Sequence, residues 1–445
     1  MYSCILSKYV SKVTEKACLR QFEDHMDNNH LRPDYQSAYR KGYSTETALL
    51  KLTNDILRKM DKQSIVVLCA MDLSAAFDTV DHDILLSVLN RTFNVDDTAL
   101  QWFNSYLRPR ALKVNVNDIY SSVRDLHFSV PQGSCAGPVL YTVYASTMGQ
   151  QIEQYPSTLL GYADDHCVYD CFKAGNIAAE LATIDQLEAC LDTVKSWMQM
   201  NRLKMNDSKT EVIYFGNQVQ LDKCVSNSIS VGQEVVDRSP CIKYLGAYLD
   251  SNLTMYIHIK NKCKIAAFNL YRIIKVRNML TLDSCKVLVQ ALVISHLDYA
   301  NGLFIGLPQK AFDQLQRIQN MAAKVTLRRS KYDSSTDALK TLHWLPIKQR
   351  VEFKILTIVF KCVHKQGPIY LSELINPKTS SYNIRTLSDD NYLFVPRTKC
   401  VTFGDRAFSV AGPQLWNKLP PHIRSLTDIN IFRKRLKTYL FDKAF

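Results

Sequence analysis

The chain has 445 residues, 47% hydrophobic and 22% charged, with a formal net charge of +13; this is enough apolar material for about three domains with real cores. The basic surplus suits a polyanionic partner, nucleic acid or an anionic surface, although a merely basic surface explains the charge as well. Thirteen cysteines, an odd count with no CxxC pair, exclude a zinc ribbon and a disulfide framework and fit reduced thiols inside a cell, while the longest apolar run, Ile65 to Met71, is far short of the about 20 residues of a membrane span.

In chain order, residues 5–30 predict a helix, with Ile5, Val10, Val13 and Cys18 apolar between Lys8, Lys12, Lys16 and Arg20. A second helix follows Ser44, a plausible N-cap, through Ala48, Leu49, Leu52 and Ile56. Ile65 to Asp72 is a short β-branched run that predicts a fully buried strand, yet it ends on a carboxylate. A helix with Val80, Ile84, Leu85, Val88 and Leu89 on one face comes next. Val130-Pro131-Gln132-Gly133-Ser134 is a turn, followed by a helical stretch from Val139 to Met148. Thr158 to Tyr169 reads as strand, tight acidic turn, strand. Residues 183–200 predict an amphipathic helix, 210–250 short strands around turns, and 254–360 helices carrying 17 Lys/Arg against 6 Asp/Glu, a surplus of 11 that makes up most of the chain's net charge of +13. Proline and serine thicken near 367–382, a boundary, and the last 60 residues look first strand-like, then helical.

Two strands thus deliver carboxylates at tight ends: Asp72, and Asp164 with Asp165. Carboxylates gathered in one place repel unless cations lie among them. Mg²⁺ takes oxygen ligands, commonly one or two carboxylates plus substrate phosphates, and two such ions support in-line phosphoryl transfer. Taken alone, Asp164-Asp165 reads better as a hairpin turn and Asp72 as a helix cap.

The pair is not alone. Tyr162-Ala163-Asp164-Asp165 resembles the YxDD box of reverse transcriptases, and Asp72 to His82 is similar to the acidic box that precedes it in LINE-type (non-LTR) enzymes. Val130 to Ser134 with Gly137-Pro138 resembles their V-P-Q-G-S box, and Gln36 to Arg40 with Ser44-Thr45 their upstream fingers box. The spacing Asn201, Leu203, Asn206, Lys209 and Thr210 looks like the box after YxDD, and Tyr244-Leu245-Gly246 like the primer-side hairpin. All six stand in family order over residues 36–250, and weaker likeness continues through Leu315 to Asn320, His343 to Pro346 and Leu415 to Asn417.

The resemblance implies an α+β right-hand polymerase: partial fingers (1–62), an antiparallel-sheet palm (63–250), a mainly helical thumb-like region (251–366) and a C-terminal region (367–445). It implies an RNA-directed DNA polymerase that extends a DNA primer on an RNA template from dNTPs. Asp72 and Asp164 would ligate two Mg²⁺ (or Mn²⁺) ions with Asp165 assisting, and Leu73 would offer its backbone carbonyl. Phe77 would stand as the steric gate beneath the sugar, where a core aromatic is the plain alternative. Gln132 and Gly133 would lie near the incoming nucleotide, Arg40 near the template or inside the fingers, and Tyr162 with Tyr244, Leu245 and Gly246 beside the primer. Lys209 would assist the leaving pyrophosphate, although a solvated lysine explains it nearly as well. The helices of 254–360 would grip phosphates.

The chain departs from the pattern at two places. Leu6 to Lys16 is similar to family sequence just downstream of an R-P-x-S fingers box, so an N-terminally truncated polymerase without endonuclease is expected; the segment Ala145 to Met148 lacks the usual polar pair. A catalytically inactive nucleic-acid-binding remnant is therefore the alternative, and a small-molecule nucleotidyltransferase, which leaves the basic helices unexplained, a third reading. The family implies an intracellular location, nuclear or cytoplasmic, and no membrane.

Overall fold

A computed structural model describes residues 2–74, 77–131, 133–378 and 391–445. Its centre is a four-stranded antiparallel sheet, with β1 (Ser64–Met71), β2 (Thr158–Tyr162), β3 (Asp165–Lys173) and β4 (Glu211–Phe215) in the spatial order β4-β1-β3-β2. The run from Ile65 to Met71 is buried on both sides, as its unbroken hydrophobicity predicts, and the strand's period of two divides it. Ile65, Val67, Cys69 and Met71 enter one core, and Val66 and Leu68 the other.

The first of these cores is backed by the helices Tyr2–Asn28, His82–Arg91, Gly137–Ala145 and Ile177–Met200. The last begins before residue 183 because Asn176 caps it, accepting from the Ala179 N–H at 3.1 Å. The second core joins the opposite face of the sheet to the helix Thr45–Asp61, the helices between 256 and 363, and the C-terminal region. Ser44 caps Thr45–Asp61 in a capping box with Thr47, as its sequence suggests. This helix is tied to the far end of the chain. Buried Asp61 accepts the Lys399 and Cys400 N–H groups at 2.9 and 2.8 Å, and Asn54 Oδ1 accepts the Ser409 N–H at 3.0 Å.

The expectation of strands in the last 60 residues is not met. Among the described residues this region holds the helices Phe408–Asn417, Pro421–Arg424 and Ile429–Ala444, and only the isolated bridge Pro377↔Leu393 is strand-like. The apolar stretch at Leu393 needs no neighbouring strand, because Asn417 supplies one in miniature. Its Oδ1 accepts the Leu393 N–H and its Nδ2 donates to the Leu393 carbonyl, both at 2.9 Å. Trp416, fully buried against Phe360 and Phe432, anchors the region. No helix among the described residues is long and apolar enough to cross a membrane.

Candidate active site

The antiparallel register places the carboxylates together. Met71 at the end of β1 pairs with His166 near the start of β3, so Asp72 emerges beside the β2–β3 turn that carries Asp164 and Asp165. Asp165 feels both neighbours. Its pKa is raised above the ordinary carboxylate value by burial first, then by the charges of Asp164 and Asp72. Lys209 Nζ lies 3.4 Å from Asp72 Oδ2, with both side chains well exposed. The segment after the long helix is held there by the backbone: Leu73 pairs with Met205, and the Asn206 N–H donates to the Asp72 carbonyl at 2.9 Å.

The turn itself is strained and clamped. Ala163 has φ +59°, a conformation a β-carbon disfavours. Gln36, almost fully buried, grips it on both sides: Oε1 accepts the Ala163 N–H at 2.8 Å and Nε2 donates to the Ala163 carbonyl at 3.1 Å. The neighbouring chain pairs as well, with Gly161 N–H donating to the Tyr35 carbonyl (2.8 Å) and Ser37 N–H to the Gly161 carbonyl (2.9 Å). A Cβ at Gly161 would crowd the turn's support, coming within 3.0 Å of the His166 ring and 3.1 Å of Tyr35.

Phe77 is half-buried with its ring 4.9 Å from that of Tyr141, which is itself near enough to Asp164 for that charge to help hold its hydroxyl protonated, after burial. The Phe77 carbonyl accepts the Val130 N–H at 3.1 Å, joining the acidic box to the Pro131–Gly133 turn. Gly133 is exposed, with φ +75° and open space around it; Gln132 lies outside the described residues. Arg40 is not brought to the carboxylates: its guanidinium lies 4.4 Å above the Tyr43 ring. Tyr162 is half-buried next to Tyr299, whose hydroxyl donates to the Leu245 carbonyl at 2.5 Å. Tyr244 is buried behind the acidic turn against Cys167, so the hairpin presents its Leu245–Gly246 backbone, with φ +46° and +72°, rather than the tyrosine ring.

Sequence reasoning passed over Gln36 as an individual residue, along with Tyr141 and Tyr299. Gln36 stood inside a recognised box, while nothing local marks Tyr299, which reaches the site from more than fifty residues away in the chain.

Among the described residues no three His, Cys, Asp or Glu side chains form a ready-made metal cage. Asp72, Asp164 and the Leu73 carbonyl are oxygen donors of the kind Mg²⁺ takes together with water.

Two buried histidines underlie this geometry. His166 sits behind the turn with Nδ1 3.0 Å from the Asp164 carbonyl oxygen, and His258 accepts the Tyr248 N–H at 3.2 Å. Burial lowers each from 6.5 to about 4, with the Lys262 charge adding to the effect at His258. The unfolded ring takes a proton more readily than the folded one. The stabilisation is therefore complete above pH 6.5 and is lost as pH falls toward 4, on the order of 3 kcal/mol for each ring. Urea midpoints should fall between pH 7.5 and pH 5, and less steeply in His166→Asn. A pH-independent midpoint would contradict the burial argument.

Residues 2–249 match the family model for reverse transcriptase (RNA-dependent DNA polymerase), and the chain belongs to that family. Among its relatives is the probable RNA-directed DNA polymerase from transposon BS of Drosophila melanogaster, 30% identical over 56% of this chain and 27% of that protein. The RNA-directed DNA polymerase from mobile element jockey of the same fly is 28% identical over 72% of this chain and 34% of that protein. These relatives bear out the LINE-type resemblance; the chain spans about a third of their length or less. Among solved structures, telomerase from Candida tropicalis in complex with a TWJ fragment of telomeric RNA aligns at 12% identity over 77% of this chain and 54% of that chain, with a TM-score of 0.38. Apo telomerase from the same yeast aligns at 11% over 74% and 58%, with a TM-score of 0.37.

Proposed function

We propose that this chain extends a DNA primer on an RNA template, joining dNTPs through the site around Asp72, Asp164 and Asp165. The observation that carries the reading is the meeting of Asp72 with the Asp164–Asp165 turn at one end of neighbouring strands, close enough for three charges to act on each other. Asp72, Asp164 and the Leu73 carbonyl would hold Mg²⁺, or Mn²⁺, with Asp165 assisting. Bound there, the metal would lower the cost of ionising the primer 3′-hydroxyl and neutralise charge on the triphosphate. The 3′-oxygen bonds to the α-phosphorus, the bond to the β-phosphate oxygen breaks, pyrophosphate leaves, and the hydroxyl proton passes to solvent.

Lys209, exposed and free to swing from Asp72, would follow the departing pyrophosphate. Gly133, with no side chain to obstruct close approach, and Gln132 would border the nucleotide. Arg40 would serve the fingers by stacking on Tyr43. The Leu245–Gly246 turn and Tyr162, joined through Tyr299, would flank the primer end. The basic helices beyond residue 254 would hold the duplex by its phosphates, with salt-dependent affinity. The direct test is extension of an oligo(dT) primer on poly(A) by purified chain with Mg²⁺ and dTTP.

Phe77, braced by Tyr141, would discriminate between sugars by shape. Phe77→Val should admit ribonucleotides at least tenfold more readily relative to deoxynucleotides, on the scale of a pocket that must reject one hydroxyl. Competition between dTTP and UTP in the same assay measures it, and an unchanged ratio would leave Phe77 as a core aromatic.

A further inference from the structure

A basin of about 860 Å³ lies apart from the carboxylates, where Gly42–Thr47, the helix Ile347–Val363 and the C-terminal helix Ile429–Ala444 come together. Five cations line it, Arg350, Lys354, Lys361, Arg433 and Lys437, against the carboxylates Glu46 and Asp298. The carboxylates are already committed. Arg350 Nε donates to Asp298 at 2.8 Å in a two-pronged pair, and Lys354 reaches Glu46 at 2.8 Å and the Asp298 carbonyl at 2.8 Å. Lys354 thereby ties the helix Ile347–Val363 to the start of Thr45–Asp61, and Arg350 ties it to Asp298.

The other three cations have no ion pair or hydrogen bond among the described residues. Arg433 and Lys437 stand one turn apart on the exposed side of a helix whose opposite side is sunk in the core through Phe432, Leu436 and Leu440. Their backbone is therefore rigid while their charges are free. Half-buried Trp344 and Phe353 are part of the same wall. Unpaired cations that share a basin with aromatic side chains are what a flexible phosphodiester strand recognises: charge tracks the backbone while bases stack. A compact anion would not need so wide an opening.

We propose that this basin is a binding site for a single strand of nucleic acid, held by its phosphates on Lys361, Arg433 and Lys437 and by stacking on Trp344. The proposal rests on the reading that the chain works on nucleic acid, and it gives the region beyond residue 367 a part in that work. The lining of the basin begins at Gly42, shortly after the segment that carries Gln36 and Arg40.

The test is fluorescence anisotropy with the full chain and a labelled, unprimed 20-nucleotide RNA, and with DNA of the same sequence, across a salt series. Arg433→Glu/Lys437→Glu should weaken RNA binding at least tenfold and lower the slope of log affinity against log salt by about 1.4, the share of two phosphate contacts on a single strand. The control, Lys434→Glu/Arg435→Glu, changes the same net charge on the same helix outside the basin and should have little effect. Both pairs are exposed, so thermal unfolding should not move. Equal losses for RNA and DNA identify a backbone site, and a larger loss for RNA identifies one that also reads the 2′-hydroxyl. Equal weakening by the two double variants, an unchanged slope, or a wild-type chain that binds neither strand overturns the proposal. A chain that binds RNA through the basin yet extends no primer sinks the polymerase reading alone.

Discussion

Asp164→Asn should reduce primer extension by about 10³-fold or more, the scale on which losing a charge-stabilising group from a phosphoryl-transfer site is felt. The substitution keeps shape and removes one charge. Asp164 is half-buried, and its backbone carbonyl accepts a hydrogen bond from His166 Nδ1, which asparagine keeps. The fold should therefore survive. It should in fact melt no lower than the wild type without metal, because the charge that helps raise the proton affinity of Asp165 is gone. Loss of activity with undiminished stability separates a chemical role from a structural one. Extension within tenfold of wild type would remove Asp164 from the chemistry. If the wild-type chain also fails to extend while holding RNA, the inactive nucleic-acid-binding remnant becomes the better reading.

The site was legible in the sequence wherever a local pattern carried it. The run from Ile65 to Met71 has to be a strand buried on both faces, and a carboxylate at its end has to lie at the sheet's edge. The acidic turn between two apolar runs has to be a hairpin. What local pattern could not carry was the partner across space. Tyr244 matched a box, yet its ring turns inward to Cys167 because strand alternation puts it on the buried face of its hairpin. The C-terminal region misled because its aromatic, β-branched stretch satisfies its backbone through Asn417, a side-chain substitute for a strand that no periodicity reveals.

Gln36→Leu should lower kcat by about 100-fold, although Gln36 touches neither carboxylate, because a misplacement of about 1 Å in the reacting groups costs that much. The amide of Gln36 satisfies both the N–H and the carbonyl of Ala163, the residue whose φ of +59° sets the direction in which Asp164 leaves the turn. Leucine fills the space and supplies neither of those bonds nor the one that Gln36 Oε1 accepts from the Ala38 N–H at 3.1 Å, leaving three buried backbone groups unpaired at about 1–3 kcal/mol each. The turn can recover those bonds only by moving. A role confined to stability would lower the melting temperature and leave kcat per folded molecule alone. A positioning role predicts more: the Mg²⁺ concentration for half-maximal activity should rise severalfold while the KM for dTTP changes little, and high Mg²⁺ should restore part of the rate. Asp164→Asn, which on the proposed reading removes a ligand instead of misplacing one, should show no such recovery. The contrast between the two metal titrations is the decisive reading, and a Gln36→Leu enzyme with normal kcat and an unchanged Mg²⁺ requirement would reduce the clamp to packing.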